Sequence, residues 1–120
     1  MKLVYWIGSS KDDLHGFPNE VCRNIGYALH FAQMGDKHPS AKPLKGFGGA
    51  GVLEIVEDHD GDTYRAVYTV KLAGVVYVLH TFQKKAKRRI ATPKQELELI
   101  KARLKLAQED YASRFGTTKR

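Results

Sequence analysis

Glu54, Arg65 and His80 stand one each in three stretches rich in β-branched and aromatic residues. Directly after the third stretch come Lys84, Lys85, Lys87, Arg88 and Arg89, the densest charge in the chain. A carboxylate, a guanidinium and an imidazole on one face can do acid–base work on a phosphodiester. Arginine holds a phosphate through two hydrogen bonds and stabilises charge that develops in the transition state. Histidine shuttles a proton near neutral pH. A lysine crowded by other cations has a lowered pKa and can act as acid or base. Lys84 and Lys85 follow Phe82 at the edge of this face, and Lys45 lies in a glycine-rich stretch placed to close over it. Each group also has a plainer reading: Glu54 and Arg65 as a structural ion pair, His80 as a packed histidine, residues 84–89 as a solvated loop.

Other chemistries are not signposted. Gly46-Phe47-Gly48-Gly49-Ala50-Gly51 lacks the GK[ST] ending of a phosphate loop and leads into a strand pattern rather than a helix. The histidines at 15, 30, 38, 59 and 80 share no metal-ligand spacing, so neither a metal nor another cofactor is expected. A single cysteine, Cys22, excludes an intramolecular disulfide and a multi-cysteine zinc module, and reads as a buried apolar residue.

The elements that must position these groups can be read from patterning. Residues 3–7 form an apolar first strand. Ser9 and Ser10 before Asp12 and Asp13 open a short helical turn. Pro18 opens a longer helix whose stripe is Val21, Ile25, Ala28, Leu29 and Ala32, and Gly35 stops it. Residues 36–50 are a loop broken by Pro and Gly, basic at Lys37, Lys42 and Lys45. Strands are expected at 52–57, 63–71 and 75–83, joined by turns at Asp60-Gly61 and Ala73-Gly74. Thr92-Pro93-Lys94-Gln95 caps a last helix with a stripe of Leu97, Ile100, Leu104, Ala107 and Tyr111. This gives one domain over residues 1–112, with a flexible basic tail over 113–120.

The two turns set a register. The first pairs Ile55 with Ala66 and Leu53 with Tyr68. The second pairs Tyr68 with Leu79 and Val70 with Tyr77. These residues share an apolar face that should lie under the helices. The other face carries Glu54, Arg65 and His80 as neighbours, with Val56, Val67, Val76, Val78 and Phe82. The expected architecture is α+β, an antiparallel meander with helices packed on one face.

Composition narrows the class of partner. At 120 residues, 42% hydrophobic and 28% charged, the chain has the material for one core and is not disordered. Lys and Arg number 20 against 13 acids, a net charge of +7 that favours a polyanion, nucleic acid first and an acidic protein next. Lacking a membrane-length apolar run or a signal-peptide core, the chain is expected to be cytoplasmic, with no membrane partner.

The segments Pro43-Leu44-Lys45-Gly46-Phe47-Gly48, Val52-Leu53-Glu54-Ile55 and Tyr64-Arg65-Ala66-Val67-Tyr68 match a known family. So does Val76-Tyr77-Val78-Leu79-His80-Thr81-Phe82-Gln83-Lys84-Lys85, running on into Thr92-Pro93 and the last helix. Together they resemble the phage-related, HigB-like branch of the RelE/HigB toxins of type II toxin–antitoxin systems. The resemblance implies a RelE-like fold of order β-α-α-β-β-β-α. It implies an endoribonuclease, an mRNA interferase that cuts messages in the ribosomal A site and is silenced by a cognate antitoxin. The antitoxin would be HigA-like with a helix-turn-helix, or acidic, and operator DNA would be met only through it. The attacking group is the adjacent ribose 2′-OH, with no metal.

The resemblance casts Arg65 as phosphate and transition-state stabiliser, and Lys84 and Lys85 as leaving-group or phosphate contacts. Lys45, Lys87, Arg88 and Arg89 would hold RNA, and Glu54 would organise Arg65. His80 and Lys84 compete for proton transfer. Val56 departs from the pattern, because many relatives carry Arg there. The alternatives are a ParE-like toxin acting on DNA gyrase and a catalytically decayed protein that binds only RNA or its antitoxin.

Overall fold

A computed structural model describes residues 1–84 and 92–116. The elements run β1 (Leu3–Trp6), α1 (Ser10–His15), α2 (Asn19–Gln33), β2 (Lys42–Pro43), β3 (Val52–His59), β4 (Asp62–Thr69), β5 (Val75–Lys84) and α3 (Lys94–Phe115). They build one five-stranded sheet of order β1-β5-β4-β3-β2. β3, β4 and β5 form the expected antiparallel meander. His59 pairs with Asp62, so the first turn is Asp60-Gly61 alone. Both turn residues have positive φ, 50° and 85°, the requirement of a type I′ hairpin. The Ile55–Ala66 and Leu53–Tyr68 pairs form as the turn dictates.

Two features of the sheet differ from the expected meander. β1 pairs with β5 in parallel, from Leu3 with Val75 to Trp6 with Val78, so the sheet is mixed. This neighbour protects the β5 backbone edge, and residues 75–82 are buried without a break. In the region read as loop, Lys42 and Pro43 add a short antiparallel edge strand on Glu54 and Leu53.

The helices occupy both faces of the sheet, which corrects the expectation of a single helical layer. α1 and α2 bury Leu14, Val21, Ile25, Ala28, Leu29 and Ala32 against Leu53, Ile55, Ala66, Tyr68, Val76 and Val78. α3 seats Ile100 and Ala107, flanked by Leu97, Leu104 and Tyr111, on Val52, Val67, Val75, Tyr77, Leu79 and Phe82 of the opposite face.

A bulge in β5 sets which of its side chains face each layer. Val67 pairs with His80, but Tyr68 pairs with Val78, leaving Leu79 as an extra residue. The expected register holds from Thr63–Lys84 to Val67–His80 and then slips by one. The expected Tyr68–Leu79 pair is therefore replaced. Val76 and Val78 turn to α1 and α2, while Tyr77 and Leu79 turn to α3 beside His80 and Phe82.

Both helical layers bond to this bulge. From α1, Ser10 Oγ donates to the Val78 carbonyl at 3.1 Å, and Thr81 Oγ1 donates to the Ser10 carbonyl at 2.7 Å. From α3, Arg103 Nη1 donates to the Leu79 carbonyl at 3.0 Å.

α3 continues to Phe115, past the expected start of a tail at Ser113. Its end is held by Tyr77, whose hydroxyl donates to Asp110 at 2.5 Å, and by Arg114, 4.8 Å over the Tyr5 ring. Residues 117–120 lie outside the described residues. Among the described residues, no helix is long and apolar enough to cross a membrane.

Arg103→Met removes the charged donor from the buried Leu79 carbonyl. It should lower the unfolding free energy by about 2 kcal/mol in urea denaturation. Lys101→Met, at an exposed position of the same helix, should change it by less than about 0.5 kcal/mol.

Candidate functional site

Arg65 stands at the centre of the three-stranded meander. Its cross-strand partners are Val56 in β3 and Phe82 in β5, so all three side chains share the face on which α3 packs. Glu54, two residues before Val56, shares that face. Arg65 Nη1 donates to Glu54 Oε1 at 3.1 Å and to Thr92 Oγ1 at 3.3 Å. Both charged residues are buried, Arg65 4% and Glu54 7% exposed. Thr92, expected only as a helix cap, bonds the guanidinium instead.

The pair forms the floor of an open cavity of about 530 Å³. Pro43, Leu44, Val56 and Leu97 give it apolar walls, and Lys42 and Lys45 stand at its rim. β2 does the positioning: its Lys42–Glu54 pair, together with the Leu44 N–H bonded to the Val52 carbonyl, sets the basic segment beside Glu54. The buried ion pair and the two exposed lysines line the same cavity. The carboxylate fixes the guanidinium, and the buried pair contributes to the cavity lining.

His80 shares the face but not the cavity. Its Nε2 lies 2.6 Å from Glu96 Oε1, its Nδ1 3.3 Å from Arg103 Nη1, and its ring stacks on Phe82 at 4.6 Å. Guanidinium only donates, so Nδ1 must accept and Nε2 must carry the proton given to Glu96. Burial lowers the His80 pKa, and Arg103 lowers it further, against the opposing pull of Glu96 and Asp13. The neutral ring therefore suits both bonds. His80 instead lines a smaller hollow with Asp13, Phe17 and Gln83.

Lys84 ends β5 opposite Thr63, two pairs beyond Arg65 and so on the same face, and is half-buried. Lys85, Lys87, Arg88 and Arg89 lie outside the described residues. The structure thus brings Glu54, Arg65 and Lys45 together and sets His80 apart. Sequence reasoning missed Thr92, Glu96 and Arg103. Glu96 and Arg103 carried a signal: seven residues apart, they fall two helical turns from each other along the Leu97–Ile100–Leu104 stripe.

A mixed five-stranded sheet with helices on both faces defines an α+β fold of the RelE type. The crystal structure of the isolated E. coli RelE toxin shares this fold, with a TM-score of 0.54. The match covers 85% of this chain and 98% of that chain at 19% identity. A family model of phage-derived Gp49-like proteins (DUF891) matches residues 12–105, and the chain belongs to that family. No curated protein matches.

His80 has a folded-state pKa below its unfolded value of 6.5, so the stability it contributes is present above about pH 6.5 and lost as pH falls through the folded value. The unfolding free energy of the native chain should therefore fall more steeply below pH 6.5 than that of His80→Gln, in urea titrations over that range. A nitrogen NMR spectrum at pH 7 should show a neutral ring protonated at Nε2. Glu54→Ala, which removes one partner of a buried charge, should destabilise the fold by about 3 kcal/mol.

Proposed function

We propose that the protein is a toxin that cuts mRNA on the ribosome and is held in check by an antitoxin. The observation that carries this reading is Arg65, buried on Glu54 at the floor of an open cavity rimmed by Lys42 and Lys45. A guanidinium fixed before the substrate arrives needs no reorganisation when charge develops on a phosphate. The family and the fold support a toxin of this kind.

In the proposed reaction the ribose 2′-OH attacks the adjacent phosphorus. Its proton leaves to a base, the P–O5′ bond breaks, and O5′ takes a proton. The products are a 2′,3′-cyclic phosphate and a 5′-hydroxyl. Arg65 stabilises the phosphorane charge, and Glu54 organises Arg65. Lys84 and Lys85 contact the phosphate or protonate the leaving oxygen. Lys45 holds the strand, joined by Lys87, Arg88 and Arg89. His80, bonded on both nitrogens to α3, is a positioning residue that keeps Thr92 beside Arg65. The site of action is the cytoplasm. The partner is an acidic or helix-turn-helix antitoxin, which alone contacts operator DNA. The binding-only alternative draws on Val56, which stands directly opposite Arg65 where many relatives carry a second arginine.

Induced expression in bacterial cells tests this reading, with growth and mRNA 5′ ends as readouts. The native chain should arrest growth and leave new cuts inside translated messages. Arg65→Ala should lower cleavage about 100-fold or more while circular dichroism shows a folded chain. Lys84→Ala/Lys85→Ala should also reduce it. Arrest without cuts would indicate the gyrase-directed alternative, and no arrest by a folded chain would indicate the binding-only one.

A further inference from the structure

Residues 43–46 line both the Arg65 cavity and a second hollow of about 510 Å³. Both volumes fall in the range of roughly 300–1,000 Å³ usual for small-ligand sites. Phe47, Gly48, Gly49, Val70 and Lys71 line the second hollow. Its described lining holds two lysines, Lys45 and Lys71, and no carboxylate. We infer that it is a second nucleotide subsite, so that a single RNA strand crosses the Lys45–Gly46 wall and occupies both hollows. This rests on the ribonuclease reading for the identity of the strand.

Three observations make the hollow suited to a nucleotide. First, Lys71 is held in place although it is exposed: its Nζ donates to the Gly49 carbonyl at 2.5 Å. Its stem lies so close over Gly51 that a Cβ there would come within 2.4 Å of Lys71 Cγ. Gly51 also has φ of +76°, so glycine is required twice over. The ammonium has three donors, which leaves two for a phosphate. Second, Gly46, Gly48 and Gly49 have open space within 4 Å of where a Cβ would stand, so a strand can approach their backbone. Third, Phe47 offers a half-buried ring for a base. A cationic groove with an aromatic platform is how single strands are held, and each stacked base contributes about 1–3 kcal/mol.

The test compares two probes on the full chain by nitrogen NMR and fluorescence anisotropy: adenosine 3′-monophosphate and a tetramer of 2′-O-methyladenosine, which lacks the attacking hydroxyl. The mononucleotide should shift resonances around Arg65 only. The tetramer should also shift Phe47, Gly49 and Lys71 and bind about tenfold or more tightly. Lys71→Met keeps the stem over Gly51 and removes the charge. It should abolish most of the tetramer's gain, leave mononucleotide affinity unchanged and reduce the salt slope by about 0.7, one phosphate contact on a single strand. Lys71→Arg should restore the slope. A role confined to shaping the loop would weaken binding without changing the slope, and would overturn the proposal. So would equal affinity for the two probes with shifts confined to Arg65. Shifts at Lys71 with none at Arg65 would uphold the subsite and refute the ribonuclease reading of the Arg65 cavity.

Discussion

The extra residue at Leu79 sets which side chains of β5 face α3. With strict alternation, α3 would meet either Tyr77 and Leu79 or His80 and Phe82, never both pairs. The bulge gives it both. Tyr77 and Leu79 supply apolar seating for Ile100 and Ala107, while Phe82 stays opposite Arg65 and His80 opposite Val67. A bulge leaves ladder groups in need of partners. Arg103 takes the Leu79 carbonyl from one face; from the other, Ser10 adds a second bond to the neighbouring Val78 carbonyl, which already accepts from the Ile7 N–H. The same arginine orients His80, and His80 holds Glu96 in the first turn of α3. The start of α3 is thereby fixed, and with it Thr92 against the guanidinium.

That chain of contacts ends at a buried ion pair, and burial of charge is a poor way to gain stability. Removing two charges from water costs several kcal/mol each, and their attraction often only offsets it. The Glu54–Arg65 pair makes physical sense as preorganisation. The carboxylate occupies one guanidinium nitrogen, sets the plane of the group, and leaves it lining a cavity with apolar walls. Low polarity in those walls would strengthen the attraction for the phosphate of the proposed reaction. Val56, opposite Arg65, adds to the apolar wall where a second arginine would add charge.

The parts of the site legible in the sequence were local ones. Asp60-Gly61 fixes a two-residue hairpin, and that hairpin alone puts Glu54 and Arg65 on one face. The stripes of α2 and α3 named the residues that the two cores bury. The bulge was not legible, because residues 75–79 are apolar at every position and either parity fits. Nor was the side of the sheet taken by α3: a stripe shows that a helix is covered, not by which face. The parallel pairing of β1 is set by contacts far apart in sequence. The sequence sets His80 as a neighbour of Glu54 and Arg65 on one face; its partners Glu96 and Arg103 were not legible, since they arrive with α3.

The central claim, that Arg65 organises attack by a ribose hydroxyl, is tested most directly on purified ribosomes carrying a synthetic message. One deoxyribose is placed immediately 5′ of the phosphate that the native protein cuts, and the ends of the products are identified. The account predicts a 2′,3′-cyclic phosphate from the all-ribose message, no cut at the deoxy position, and a large loss of cutting with Arg65→Ala. Cleavage that persists at the deoxy position, or that is unaffected by Arg65→Ala, would contradict it.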